Sequence, residues 1–148
     1  MTTVKRILVA TDFGESSAKA VSFAVELVNA LKSALTLIHV VEFHPVYGYE
    51  LAFPVDLQPQ LESAGKAALA KELARIVRDV PLACAVLKTG IASEAILSFA
   101  KEDATDLLVV GTHGFRGIKR LLLGSVAEKL VRLSPVPVLT VHAGPTPE

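Results

Sequence analysis

Glycine and hydroxyl residues near the carboxyl end of the chain have the spacing of a backbone that binds phosphate. Gly111 and Gly114 are followed, after nine residues, by the adjacent pair Gly124 and Ser125 in the segment GTHGFRGIKRLLLGSVAEKL. Glycine tolerates positive φ angles and has no side chain to hold a ligand away. Free N–H groups at the start of a helix attract anions. The pattern therefore allows two interpretations, a phosphate site or a helix cap with turn glycines.

The segment between these glycines carries positive charge. Residues Thr112 to Arg120 include three basic residues and no acidic one, which is the sign of charge that a triphosphate requires. Ser125 opens the next predicted helix, so its N–H and its hydroxyl can both donate to a phosphate oxygen.

Two better-known phosphate motifs do not account for these residues. A P-loop is excluded because no glycine is followed by lysine and then by a hydroxyl residue. A dinucleotide-binding motif requires GxGxxG after the first strand, where this chain has only ATDFGES.

Composition limits the class of protein. The 148 residues fit one domain, and fifteen basic residues balance fifteen acidic ones, which argues against a nucleic-acid partner. No apolar stretch approaches the roughly 18 residues of a membrane span. The single cysteine, Cys84, lies in the apolar stretch LACAVL and is predicted to be a small buried hydrophobe. We therefore expect a soluble protein of the cytoplasm, with a single domain over residues 1–148.

Apolar runs alternate with amphipathic segments along the whole chain. The runs are continuous, as expected for strands that are covered on both faces. They are Arg6 to Thr11, Ala34 to Val41, Leu82 to Leu87, Asp106 to Gly111 and Pro137 to His142. The predicted helices are one with an apolar face from Val21 to Leu31, and others at about Leu57 to Asp79, Ser93 to Glu102 and Gly124 to Leu133.

This alternation predicts an α/β fold with an open five-stranded parallel sheet and helices on both faces. The layout is a Rossmann-like or flavodoxin-like three-layer sandwich. Chain order alone does not locate the point where the strand order reverses, which is where such sheets bind ligands. We predict the order 3-2-1-4-5, which brings Thr11 and Asp12 beside the segment from Gly111 to Gly114. Residues 42–59 are predicted to form a long loop, functional or simply connecting, and residues 143–148 a frayed tail.

Several segments together resemble the universal stress protein family, in its ATP-binding branch. The glycine pattern is preceded by DLLVVGTHG and followed by a Pro-Val-Pro-Val strand, as in that family. KRILVATDFGESSAKA is similar to the family's opening strand and turn, and LTLIHVVE to its second strand. GIASEAILSFAKEDATDLLVVG resembles its third helix and fourth strand, so the likeness covers nearly the whole chain.

The resemblance implies a site for ATP with Mg²⁺ or Mn²⁺. Asp12 matches the family acid that contacts the ribose or the metal-bound phosphates, and Val40 matches a residue whose backbone contacts adenine. Ala10 stands where some relatives have proline. The residues predicted to contact nucleotide are Ala10, Thr11, Asp12, Val40, Gly111, Thr112, His113, Gly114, Arg116, Gly124, Ser125 and Val126. Asp12 also has a competing interpretation as a helix N-cap.

The expected function is that of a nucleotide-responsive stress-response module with slow or no hydrolysis. Phosphoryl transfer needs a residue that orients the nucleophile, and Asp12 is the one plausible acid near the predicted site. Two alternatives remain open: a slow ATPase or self-phosphorylating protein with Ser125 or Thr112 as acceptor, and a dimeric adaptor that works without nucleotide. The resemblance implies a homodimer through the last strand, Val136 to His142, which is apolar and could form an unpaired sheet edge.

Overall fold

Strands and helices alternate along the chain in a computed structural model that describes residues 3–42, 57–113 and 123–143. The strands are β1 (Arg6–Ala10), β2 (Ala34–Glu42), β3 (Cys84–Gly90), β4 (Leu107–Gly111) and β5 (Val138–Val141). The helices are α1 (Glu15–Leu31), α2 (Leu57–Ile76), α3 (Ala92–Glu102) and α4 (Ser125–Leu133).

The strands form one parallel sheet in the order β3-β2-β1-β4-β5. This confirms the predicted fold class and strand order. The order reverses between β1 and β4, because β1 is followed along the chain by β2 on one side and pairs with β4 on the other. The crevice at the carboxyl ends of these two strands is where a sheet of this kind binds ligands.

Alternation of side chains along the central strands produces two hydrophobic cores. Ile7 and Val9 of β1 face the layer of α1 and α2, while Leu8 and Ala10 face the layer of α3 and α4. Leu8 and Val9 are fully buried, which explains why this strand is apolar at successive positions rather than at alternate ones.

The two edge strands differ from the sequence-based expectation. β3 and β5 lie at the edges of the sheet, and their residues are mostly half-buried. Cys84, at the start of β3, is exposed, so the prediction of a buried cysteine is wrong. Ala83 and Ala85 pack against the core under α1 and α2, so Cys84 points to the other face of the sheet, where it joins neither hydrophobic core.

Several predicted boundaries also shift. β3 starts at Cys84 rather than Leu82, whose side chain is 91% exposed in the preceding turn. β2 continues to Glu42 and α2 starts at Leu57, so both ends of the predicted loop belong to regular elements. The rest of that loop, residues 43–56, lies outside the described residues, as do residues 144–148 of the predicted tail.

Candidate functional site

A cavity of about 870 Å³ opens at the carboxyl ends of β1 and β4. Its walls come from both layers of helices, because it lies at the point where the strand order reverses. The register pairs Val9 of β1 with Val109 of β4, so the residues that follow each strand emerge side by side. A cavity of this volume is within the range of small-molecule sites.

The turn after β1 holds the carboxylate of Asp12 by one of its oxygens. Asp12 Oδ1 accepts hydrogen bonds from the Gly14 N–H and from Ser17 Oγ, both at 2.8 Å. The Asp12 side chain is exposed, and Oδ2 makes no hydrogen bond to any described residue. The N-cap of α1 is Gly14, so Asp12 is not the cap residue itself. Its second oxygen is available to accept from a ribose hydroxyl or to bind a metal ion that phosphates carry.

Two buried hydroxyls support this turn. Ser17 is 5% exposed and Thr11 is 6% exposed, and their oxygens lie 3.2 Å apart. Thr11 Oγ1 also accepts from the Phe13 N–H at 3.0 Å. Because each hydroxyl is paired with backbone or with Asp12, the turn is fixed before a ligand arrives.

Phe13 adopts a backbone conformation that is unusual for its type. Its φ is 65°, a conformation that costs a bulky residue about 1–3 kcal/mol and persists only where surrounding contacts offset that cost. The Phe13 ring packs against the His39 ring with centroids 4.4 Å apart. His39 Nδ1 in turn lies 2.7 Å from the Thr11 carbonyl oxygen. These contacts hold the Phe13 ring at the edge of the cavity.

The end of β4 packs closely against the first turn of α1. A Cβ placed on Gly111 would lie 2.5 Å from Ser16 Oγ and 2.6 Å from the Ser16 carbonyl carbon. The His113 N–H donates to the same Ser16 Oγ at 3.2 Å. Glycine is therefore required here by space and brings the residues after β4 close to the start of α1.

Thr112 joins β4, β5 and the start of α4. It is 1% exposed, its N–H donates to the Val141 carbonyl at 3.1 Å, and its own carbonyl accepts from the Gly124 N–H at 2.6 Å. Its hydroxyl lies 3.0 Å from His113 Nδ1. These bonds fix the start of α4 against the end of β4.

The first turn of α4 presents free backbone donors to the cavity. Gly124 is the N-cap, in an extended conformation and without a side-chain cap hydrogen bond. The leading N–H groups of a helix have no intrahelical acceptor, and Ser125, Val126 and Ala127 all line the cavity. Together with the helix dipole, these donors favour an anion.

Apart from Glu42 at the end of β2, the remaining walls of the cavity are apolar or small. Ala10, Ile38, Val40, Ala92, Ile96 and Val110 come from the sheet and α3. Leu61, Ala64, Gly65 and Ala68 come from α2. A Cβ on Gly65 would come within 3.3 Å of both the His39 ring and Val41, so α2 approaches the sheet closely at this glycine. An apolar recess beside polar groups suits a flat heterocycle.

Ten of the twelve predicted site residues line this one cavity. They are Ala10, Thr11, Asp12, Val40, Gly111, Thr112, His113, Gly124, Ser125 and Val126. The other two, Gly114 and Arg116, lie outside the described residues. Sequence reasoning missed Phe13, Ser17 and Gly65; of these, only Gly65 gave a signal, as a glycine inside a predicted helix.

Neither a metal-binding cluster nor a membrane span is found in the part of the chain that the structure describes. No group of three His, Cys, Asp or Glu side chains there could hold a metal ion. Asp12 supplies a single carboxylate oxygen, which fits a metal that enters with the phosphates of a nucleotide. None of the described helices is long and apolar enough to cross a bilayer.

Comparison with known sequences points to one family. The sequence model of the universal stress protein family matches residues 3–142. The chain is similar to universal stress protein A homolog 1 of Coxiella burnetii, with 34% identity over 140 residues that cover 93% of this chain and 95% of that protein. It is also similar to a universal stress protein of Thermus aquaticus, with 35% identity over 138 residues covering 93% and 98% of the two chains.

Solved structures agree with this assignment. The universal stress protein UspA of Lactobacillus plantarum superposes with a TM-score of 0.75 at 25% identity, covering 95% of this chain and 99% of that one. A universal stress protein crystallised in complex with cAMP gives a TM-score of 0.72 at 26% identity, with 97% and 100% of the chains covered. That neighbour therefore shares the fold of this chain and binds an adenine nucleotide.

Proposed function

The chain belongs to the universal stress protein family, and on that premise we propose that it binds an adenine nucleotide in the cavity between β1 and β4. The ligand is ATP with Mg²⁺ or Mn²⁺, and the protein acts in the cytoplasm as a nucleotide-responsive stress-response module. One observation carries the proposal: free donors of the α4 N-terminus, the free oxygen of Asp12 and an apolar recess meet in one cavity.

Each part of the ligand has a matching surface. The N–H groups of Ser125 and Val126 face the phosphates, whose charge the helix dipole stabilises. Asp12 Oδ2 accepts from a ribose hydroxyl or meets the metal that the phosphates carry. The backbone of Val40 lies beside the adenine. The neighbour in complex with cAMP supports an adenine nucleotide, and ATP rather than AMP or cAMP is the finer part of the proposal.

A charge placed at the start of α4 provides the test. Ser125→Glu puts a carboxylate beside the phosphates, and an acid in the first turn of a helix stabilises that helix, so loss of binding cannot be ascribed to unfolding. We expect Mg-ATP affinity to fall by about tenfold or more, as repulsion replaces a donor. Ser98→Glu, at an exposed position on α3, is the matched control and leaves affinity unchanged.

The same samples show whether nucleotide is bound at all. Purified wild type is denatured, and any released nucleotide is identified by chromatography, before and after incubation with Mg-ATP. Adenine nucleotide in the wild type and none in Ser125→Glu supports the site. A wild type that stays empty after incubation contradicts the proposal.

We propose that hydrolysis is slow or does not occur. Two acidic residues among those described line the cavity, Asp12 after β1 and Glu42 at the end of β2, and one oxygen of Asp12 is already held by the turn. Turnover that is substantial in the wild type and lost in Asp12→Ala would contradict a binding role. A nucleotide acts as a switch only through unequal affinity for two conformations, so ATP-dependent hydrogen exchange would accompany that role.

Self-phosphorylation is the second candidate, and the structure separates its two possible acceptors. Thr112 is 1% exposed and its hydroxyl contacts His113 Nδ1, whereas Ser125 is exposed at the mouth of the cavity. If the protein phosphorylates itself, Ser125 is the expected acceptor. Mass spectrometry after incubation with ATP decides the matter, since an unmodified chain with intact nucleotide rules out this activity.

We further propose that the protein forms a homodimer through β5. β5 lies at one edge of the sheet, and within the described residues it pairs with β4 alone. The helix α4 contacts β5, and Leu123, Val131 and Leu133, just before and on α4, are exposed apolar residues. An unpaired edge next to apolar surface favours pairing with a second copy.

A further inference from the structure

A second cavity adjoins the proposed nucleotide site on the side of α2. It has a volume of about 540 Å³ and is lined by Phe13, Ala68, Lys71, Glu72, Ala74, Arg75 and Arg78. We call it the basic groove. Phe13 and Ala68 also line the larger cavity, so the two cavities lie next to each other and share these two residues.

The basic groove concentrates positive charge on one face of α2 and its continuation. Lys71, Arg75 and Arg78 stand at i, i+4 and i+7, so their side chains point to the same side. Like charges at this spacing repel and destabilise a helix by a few tenths of a kcal/mol. Their cluster is therefore not explained by helix stability.

Glu72 pairs with one of these three cations, Arg75, and orients it. Its carboxylate accepts from Arg75 Nη2 at 2.7 Å and from Nε at 3.2 Å. This hydrogen bond raises the pKa of Arg75 above its usual value. Lys71 and Arg78 form no ion pair within the described ranges. Asp79 also attracts Arg75, yet it does not line the groove.

We infer that the basic groove binds a phosphate-bearing group, as an anion subsite continuous with the nucleotide cavity. Arg75, held as a planar fork by Glu72, and the other two cations supply several donors to one group with several acceptor oxygens. The Phe13 ring forms a wall on which a base or other flat group can stack. The ligand is a nucleotide extended by a second phosphorylated part, or a separate small phosphate compound.

This inference rests on the proposed function in one respect, the assignment of a nucleotide to the larger cavity. Of the seven residues that line the groove, only Phe13 and Ala68 also line the larger cavity, and none of the three cations does. The two ideas can therefore fail independently, and the experiment keeps them apart.

Binding of three probes by titration calorimetry tests the subsite. The probes are ATP, a diadenosine tetraphosphate, and inorganic tripolyphosphate added after saturation with Mg-ATP. The groove variant is Lys71→Glu with Arg78→Glu. Its control is Lys66→Glu with Lys101→Glu, which changes the net charge equally at exposed positions that line neither cavity.

The groove variant should lose about tenfold or more in affinity for whichever longer probe the wild type binds. ATP affinity should fall by less than about threefold, because ATP feels Lys71 and Arg78 only through screened long-range charge. The loss should shrink at about 1 M salt, where the Debye length is roughly 3 Å. Tripolyphosphate bound beside ATP identifies a separate phosphate ligand; diadenosine tetraphosphate binding without it identifies an extended nucleotide.

Two results would overturn the subsite. One is an equal loss of affinity for the longer probe in the groove variant and the control variant. Such a result would show that net charge, and not the groove, determines binding. The other is a wild type in which neither longer probe depends on Lys71 and Arg78, while ATP still binds; the proposed function then stands alone. If ATP does not bind but tripolyphosphate binds through Lys71 and Arg78, the proposed nucleotide function fails and the groove stands.

Discussion

Gly111 lies so close to Ser16 that any side chain at this position would meet the backbone of α1. A Cβ would come within 2.6 Å of the Ser16 carbonyl carbon and 2.8 Å of its oxygen. This contact sets the distance between the end of β4 and the start of α1. It also positions the His113 N–H to donate to Ser16 Oγ. The close approach of β4 to α1 beside the cavity depends on this one missing side chain.

We predict that Gly111→Ala destabilises the protein and weakens nucleotide binding. The clash is with backbone, which cannot rotate away, and overpacking of this kind costs about 1–3 kcal/mol. Denaturant unfolding measures the stability, and Mg-ATP titration the affinity.

Gly65→Ala is the matched control. There the nearest atoms are in the side chains of His39 and Val41, at 3.3 Å, and can give way. Replacing a mid-helix glycine by alanine also returns up to about 1 kcal/mol of helix propensity. A larger loss of stability for Gly65→Ala than for Gly111→Ala would contradict the geometry.

Ser17→Ala should release the carboxylate of Asp12. Ser17 Oγ is buried and donates to Asp12 Oδ1 at 2.8 Å. Removing it leaves that oxygen with the Gly14 N–H and costs about 1 kcal/mol of unfolding free energy, as for an ordinary hydrogen bond. Mg-ATP affinity should fall with it, because Asp12 is no longer fixed.

Ser98→Ala, at an exposed position on α3, controls for the loss of a hydroxyl. It should leave both stability and affinity unchanged. Ser17→Ala with lower stability and wild-type affinity would show that Ser17 serves the fold alone.

Asp106→Ala should destabilise the sheet without changing the site. Asp106 Oδ2 accepts from the N–H groups of Lys5 and Arg6 at 2.8 and 2.9 Å, at the amino ends of β1 and β4. Loss of these charge-assisted bonds costs about 1–3 kcal/mol. Nucleotide affinity should remain as in the wild type, because Asp106 lies at the amino ends of the strands and the cavity at their carboxyl ends. Asp106→Asn keeps one acceptor oxygen and should cost less; equal losses would show that hydrogen bonding to Oδ2 is not the cause.

Thr140→Pro should give monomers if β5 forms the dimer interface. The Leu108 N–H donates to the Pro137 carbonyl and the Thr112 N–H to the Val141 carbonyl. Residues 137, 139 and 141 therefore face β4, and the Thr140 N–H points to the outer edge. Proline at Thr140 removes an outward donor without breaking the β4–β5 pairing.

Sedimentation velocity distinguishes the outcomes. A folded Thr140→Pro protein that remains dimeric would place the interface elsewhere. A dimeric protein that never binds nucleotide would instead support the adaptor alternative.

The fold was predictable because buried parallel strands have apolar sequences. The runs around Leu8 and Leu108 are apolar at consecutive positions, since each central strand is covered on both faces. The edge strand β3 was less predictable: its order in the sheet was expected, but the exposure of the Cys84 thiol depended on which face of this strand the helices cover.

The candidate site was predictable where glycine spacing and strand ends coincide. Gly111 ends β4, Gly124 and Ser125 begin α4, and Asp12 follows β1. Each position could be identified from the sequence alone. These residues indicate that a ligand can bind at the carboxyl ends of β1 and β4.

Residues that support the site from other elements could not be found this way. Ser17 resembles any other polar residue of an amphipathic helix, although its hydroxyl meets Asp12. Phe13 and Ala68 lie 55 positions apart, yet both line the basic groove.

The sequence by itself determined the order of strands and helices and the glycine and acidic positions at the ends of two strands, because hydrophobic period and backbone freedom are local properties. The tertiary structure alone decided that α2 lies against His39 through Gly65, that Ser17 holds Asp12, and that three cations share a groove with Phe13. Those relationships arise from packing between distant segments, which no local pattern encodes.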